Sequence, residues 1–181
     1  MSSGDTSRPD WPAFARRVIQ LATRSCDTRR AEPPDAPRHP RGGVFVSLRK
    51  GGKLRGCMGT LDPDLPLADA VREAAISAAM HDPRYPTLTP AELAETKVEV
   101  SILSAAAPMK DLDELVLGRH GVIVRRGKQR GLFLPQVATD HGLSKEEFLT
   151  RCAAEKAHLP PDAWRDPSTE VLLFTSEVFR E

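Results

Sequence analysis

Lys50-Gly51-Gly52-Lys53, set between Gly43-Val44-Phe45-Val46-Ser47-Leu48-Arg49 and Leu54-Arg55-Gly56-Cys57-Met58-Gly59-Thr60, is the stretch on which the fold of this chain turns. Two adjacent glycines signal a two-residue hairpin turn, because both central positions take positive φ. The pattern predicts strands over 44–50 and 53–59. A two-residue turn also sets the register. Lys50 then faces Lys53, Leu48 faces Arg55 and Val46 faces Cys57. Side chains alternate along a strand, so Arg55 and Cys57 project on one face.

Outward from the hairpin, the periods of the apolar residues define the other elements. Trp11, Phe14, Ala15, Val18, Ile19 and Ala22 form one helical stripe, with Asp10 as N-cap and Pro12 in the first turn. Prolines at 33, 34, 37 and 40 exclude regular structure, so residues 27–43 read as an exposed connection. An alanine-rich helix over 65–80 follows the hairpin and stops before Pro83. Thr89-Pro90-Ala91-Glu92 and Ser144-Lys145-Glu146-Glu147 read as capping boxes. The second opens a helix with Phe148, Leu149 and Cys152 inward. Val98, Val100 and Ile102 alternate with Glu99 and Ser101 as a strand. A second hairpin is expected around Gly127, and strand again over 171–174 and 178–179. Hairpins mixed with scattered helices point to an α+β fold on antiparallel sheet.

Composition narrows the function classes. The chain has 181 residues, 26 basic and 25 acidic, with net charge +1. That balance disfavours general nucleic-acid binding. No apolar run approaches the roughly 20 residues that cross a bilayer. The start, Met1-Ser2-Ser3-Gly4-Asp5, is polar and lacks a signal core. The odd set of three cysteines, Cys26, Cys57 and Cys152, reads as free thiols in a reducing, cytoplasmic setting. No metal-ligand spacing and no nucleotide-binding loop is present, and no cofactor is indicated.

Two constellations carry chemistry. Within the hairpin, Arg55 beside Cys57 would favour the thiolate, and Gly56 and Gly59 leave the sulfur open to a ligand or to another backbone. The same register allows a plainer account, in which Cys57 packs with Val46 and Leu48 as a small hydrophobe. After the alanine-rich helix comes His81-Asp82-Pro83-Arg84-Tyr85. There His81 and Asp82 are acid/base candidates beside the thiol, or else a helix cap and a local ion pair. The candidate catalytic set is therefore Cys57, His81 and Asp82. The candidate ligand contacts are Arg55, Gly56, Gly59, Thr60 and Arg84, suited to a small anion. Arg125, Arg126, Lys128 and Arg130 form a basic hairpin tip, a solvated turn or a contact for an anionic partner.

Taken in order, these segments resemble the AMMECR domain family. Leu54–Thr60 resembles its signature hairpin, and Asp82-Pro83-Arg84-Tyr85 its second motif. Glu99–Leu103 and Leu134-Pro135-Gln136-Val137-Ala138 match the next two. Glu146–Leu149, Lys156-Ala157 and Trp164 follow in family order. The resemblance runs from about Pro12 to Glu181, nearly the whole chain, and implies that 1–181 is one AMMECR-type domain. It implies two unequal lobes built on mainly antiparallel sheets with flanking helices, and a cleft between them. It also implies partners, a Memo-type protein and a radical-SAM enzyme. It implies no settled reaction, although a role in nucleic-acid modification has been suggested for the family. The chain departs from the family at Met58 (usually isoleucine), Tyr85 (usually phenylalanine) and His158 (often glycine). If that glycine caps a helix, His158 must take left-handed backbone geometry.

Overall fold

The protein is described by a computed structural model covering residues 8–36 and 42–181. The polar start, Met1–Asp5, and residues 37–41 of the expected connection lie outside the described residues. The chain divides into two compact units of unequal size, one comprising Met1–Ile102 with Val178–Glu181 and the other Leu103–Glu177. Each has its own hydrophobic core. The fold is α+β, as expected from the mixture of hairpins and helices.

In the first unit, α1 (Trp11–Ala22) forms where its stripe predicts, with the Asp10 carboxylate accepting from Ala13 N–H at 2.9 Å. It buries Trp11, Phe14, Ala15, Val18 and Ile19. Each large side chain so buried contributes roughly 1.5–3 kcal/mol. The connection that follows is less open than expected: residues 28–30 form a 3₁₀ turn and Ala31 is buried. The hairpin joins β1 (Gly43–Lys50) to β2 (Lys53–Thr60), and Gly51 and Gly52 take φ of 56° and 77°. Next is α2 (Leu67–Met80), which turns Ala70, Ala74, Ala75, Ala78 and Ala79 inward. Small side chains let it lie close to the hairpin. A one-turn helix, α3 (Pro90–Leu93), leads into β3 (Thr96–Leu103). The strands run in the order β2-β1-β3, so β2 is an edge.

The second unit carries β4 (Ala107–Pro108), β5 (His120–Arg126), β6 (Gln129–Phe133) and most of β7 (Glu170–Arg180). β7 is one continuous strand where the sequence suggested two. β5 pairs antiparallel with both β6 and β7, and β4 pairs antiparallel with β7. Two helices, α4 (Pro135–Asp140) and α5 (Lys145–Arg151), cover this unit's core. Ser144 and Glu147 complete the predicted capping box. A π-helical turn over Cys152–Lys156 extends α5, burying Cys152 completely. His158 follows it with φ of 55°, the left-handed backbone geometry that the sequence comparison at this position anticipated.

Candidate functional site

The site begins with an irregularity in the β1–β2 hairpin. Lys50 faces Lys53 as the turn requires, and Arg49 faces Leu54. Then the register shifts: Leu48 faces Gly56, and Arg55 is the extra residue of a β-bulge. The one-residue slip puts Cys57 opposite Ser47, not Val46. Every side chain beyond the bulge changes faces. Val46 and Leu48 lie fully in the core, while Cys57 stands half-buried on the other side of the sheet beside Ser47. The expected packing of Cys57 with Val46 and Leu48 is therefore corrected.

Arg55 has partners of its own. Its Nε and Nη2 donate to the two carboxylate oxygens of Glu92 at 2.6 and 2.9 Å, and Nη2 also donates to the Pro86 carbonyl at 2.9 Å. The guanidinium holds Glu92 below the usual carboxylate range. The guanidinium that the hairpin register set beside the thiol is thus paired with Glu92. Burial pushes the Cys57 thiol up, and nearby Asp82 adds to the rise. A hydrogen bond donated by Ser47 Oγ at 3.2 Å and the charges of Arg84 and Arg49 pull it back only in part. The balance leaves the thiol raised above its ordinary range.

Asp82 and Arg84 are brought to Cys57 by a turn. Tyr85 N–H donates to the Asp82 carbonyl at 3.2 Å, with Pro83 at the second position, where its fixed φ fits. Asp82 Oδ1 accepts from Arg84 N–H at 3.1 Å, closing an Asx turn. The Asp82 carboxylate then accepts from Arg84 Nε at 2.9 Å, Arg84 Nη2 at 2.7 Å and the Cys57 N–H at 2.9 Å. The Arg84 guanidinium, aided by these backbone donors, holds Asp82 down at about 2 even though its side chain is only 2% exposed. Arg84 Nη2 also donates to the Cys57 carbonyl at 3.2 Å. Arg55 and Arg84 both lie against the Tyr85 ring, at 5.6 and 5.5 Å from its centre. His81 caps α2, donating its N–H to the Ser77 carbonyl, and its side chain is exposed.

Gly56 faces α2: a Cβ there would run into the Ala78 carbonyl oxygen. A Cβ on Gly59 would meet the Val44 carbonyl and the Phe45 ring. Of the two approaches the sequence allowed, backbone or ligand, close packing accounts for both glycines. Thr60 ends β2 and caps the next turn, its Oγ1 accepting from Asp62 N–H at 3.1 Å. At the other hairpin tip, Arg125 pairs with Glu170, and Arg126 with Asp166 and Thr169, leaving a more balanced surface than the sequence suggested. Sequence reasoning overlooked Ser47 and Glu92. Ser47 was hidden by the assumed register, and Glu92 was assigned to a capping box. Thr89 does cap α3, accepting from Glu92 N–H at 3.2 Å, but the Glu92 carboxylate turns to Arg55.

The turn-and-hairpin arrangement is built from the same segments that carried the resemblance. A family model described as AMMECR1 matches residues 12–179. The chain belongs to the AMMECR1 family. A relative from Methanothermobacter thermautotrophicus is 46% identical over 176 residues, covering 93% of this chain and 91% of its own. Another, from Methanopyrus kandleri, is 42% identical over 177 residues, covering 93% and 85%. Among solved structures, an uncharacterized protein from Pyrococcus horikoshii superposes with a TM-score of 0.83 at 34% identity, covering 96% of this chain and 93% of that one. In this member of the AMMECR1 family, the β1–β2 hairpin and the Asp82–Tyr85 turn form one hydrogen-bonded assembly. Among the described residues, no helix is long and apolar enough to cross a membrane.

Proposed function

We propose that this AMMECR1-family chain is a cytoplasmic binding component, not a catalyst, and that it works with a Memo-type protein and a radical-SAM enzyme. The observation that carries this reading is the state of the candidate chemical groups. The Cys57 thiol is pushed up by burial, and the Asp82 carboxylate is held at about 2 with its oxygens engaged by Arg84 and by backbone N–H groups. A nucleophile needs a lowered pKa or an adjacent base, and an acid/base group needs one near working pH. Neither condition is met. What the surface offers instead is Arg84, whose side chain is 47% exposed, beside Tyr85. A guanidinium braced from behind by a carboxylate and an aromatic ring is suited to an anionic group of a partner or of a small ligand.

Co-purification of the chain with the two partner proteins tests the proposal. Wild type and Cys57→Ala should both retain the partners, and Arg84→Ala should weaken retention. Failure of wild type to retain either partner contradicts it. So does any turnover that Cys57→Ser abolishes while the fold is kept, because that outcome restores an enzyme built on the thiol.

A further inference from the structure

Edge strands invite association, because alternate residues point both backbone groups away from the sheet. β2 is such an edge, and the bulge at Arg55 interrupts it only on the turn side of Cys57. Cys57 is one of its outward-facing residues: its N–H goes to Asp82 at 2.9 Å and its carbonyl accepts from Arg84 at 3.2 Å. A neighbouring strand would bring one acceptor and one donor to these two groups. Asp82 and Arg84 bring the same pair, locked to each other by two side-chain hydrogen bonds of 2.9 and 2.7 Å. Unlike a strand, they offer no continuing ladder, and Pro83 between them has no N–H to give.

We propose that Asp82-Pro83-Arg84 is an edge clip. It takes the place of a strand at the centre of β2 and closes that edge against strand pairing with a second copy of this chain. The claim is independent of the partner-binding reading, since it requires no ligand and concerns self-association alone.

Asp82→Ala and Arg84→Ala test it, each compared with wild type by amide hydrogen exchange and by sedimentation over a range of concentrations. At low concentration the Cys57 amide of Asp82→Ala, which has no side-chain acceptor, should exchange about tenfold faster, the loss of one net hydrogen bond. At high concentration the variant should shift to a larger species, with β2 amides regaining protection. Arg84→Ala, which keeps the acceptor for the Cys57 N–H, should show the same shift at higher concentration. A folded variant of either kind that keeps the wild-type sedimentation throughout overturns the clip. So does loss of fold in both, since the pair would then be a folding requirement and not an edge guard.

Discussion

Asp82 shows how much one side chain does in this protein. Buried and ion-paired, it fixes the Cys57 backbone and orients Arg84. Its native pKa of about 2 lies below the ordinary 3.8, so the stability it contributes is complete above 3.8 and is lost as pH falls through about 2. Asp82→Asn should cost about 1–3 kcal/mol at neutral pH, the usual cost of leaving buried hydrogen-bonding groups unmet. In urea melts across acid pH that gap should close between 3.8 and about 2. A gap unchanged at the acid end would show that Asp82 does not stabilise as a carboxylate. His158 is the opposite case, a residue that costs stability. Holding a non-glycine residue at φ of 55° costs about 1–3 kcal/mol. The added backbone entropy of glycine offsets only about 0.5–1 kcal/mol of that. His158→Gly should therefore raise the thermal midpoint, and a lowered midpoint would place the constraint elsewhere, for instance in the bond from Gln129 Nε2 to the His158 carbonyl.

Among the elements, the hairpin repays the closest comparison with its sequence. Gly51-Gly52 announced the turn and both strands, and the capped helices α1 and α5 were equally plain, since their signals are local. The bulge was not legible. It depends on α2 lying against Gly56 and on Glu92 drawing Arg55 away, contacts between residues more than twenty positions apart. Missing it inverted the face assigned to Cys57, and with it the chemistry. The Asp82–Arg84 pairing was legible as a local alternative, but its target, the Cys57 backbone, was not, because main-chain hydrogen bonds leave no side-chain signature. α4 is short and opens at Pro135 without a side-chain cap, so periodicity gave no sign of it. Contact between α2 and the hairpin makes a clear prediction. Gly56→Ala should destabilise by about 1–3 kcal/mol, the cost of forcing atoms into a packed site. Chemical denaturation measures it, and an unchanged midpoint would mean that α2 shifts at little cost.

At the scale of the whole molecule, two cores and three differently placed thiols describe the protein. In the first unit Arg16 ties α1 to the Leu93 and Thr96 carbonyls and to Glu181, so Arg16→Ala should lower stability by about 1–3 kcal/mol in denaturant titration. The cysteines sort by environment. Cys26 is exposed, Cys57 half-buried, and Cys152 fully buried, with desolvation pushing its thiol up to about 12. Native protein should label in that order, with Cys152 reacting only on unfolding. The central claim, that Cys57 is a protonated residue of a binding surface and not a nucleophile, is tested most directly by its alkylation rate against pH, resolved by peptide mass spectrometry. A slow rate with a midpoint above the free-thiol value of about 8.5 is expected. A fast rate with a midpoint below that value would contradict the account and make Cys57 an activated thiolate.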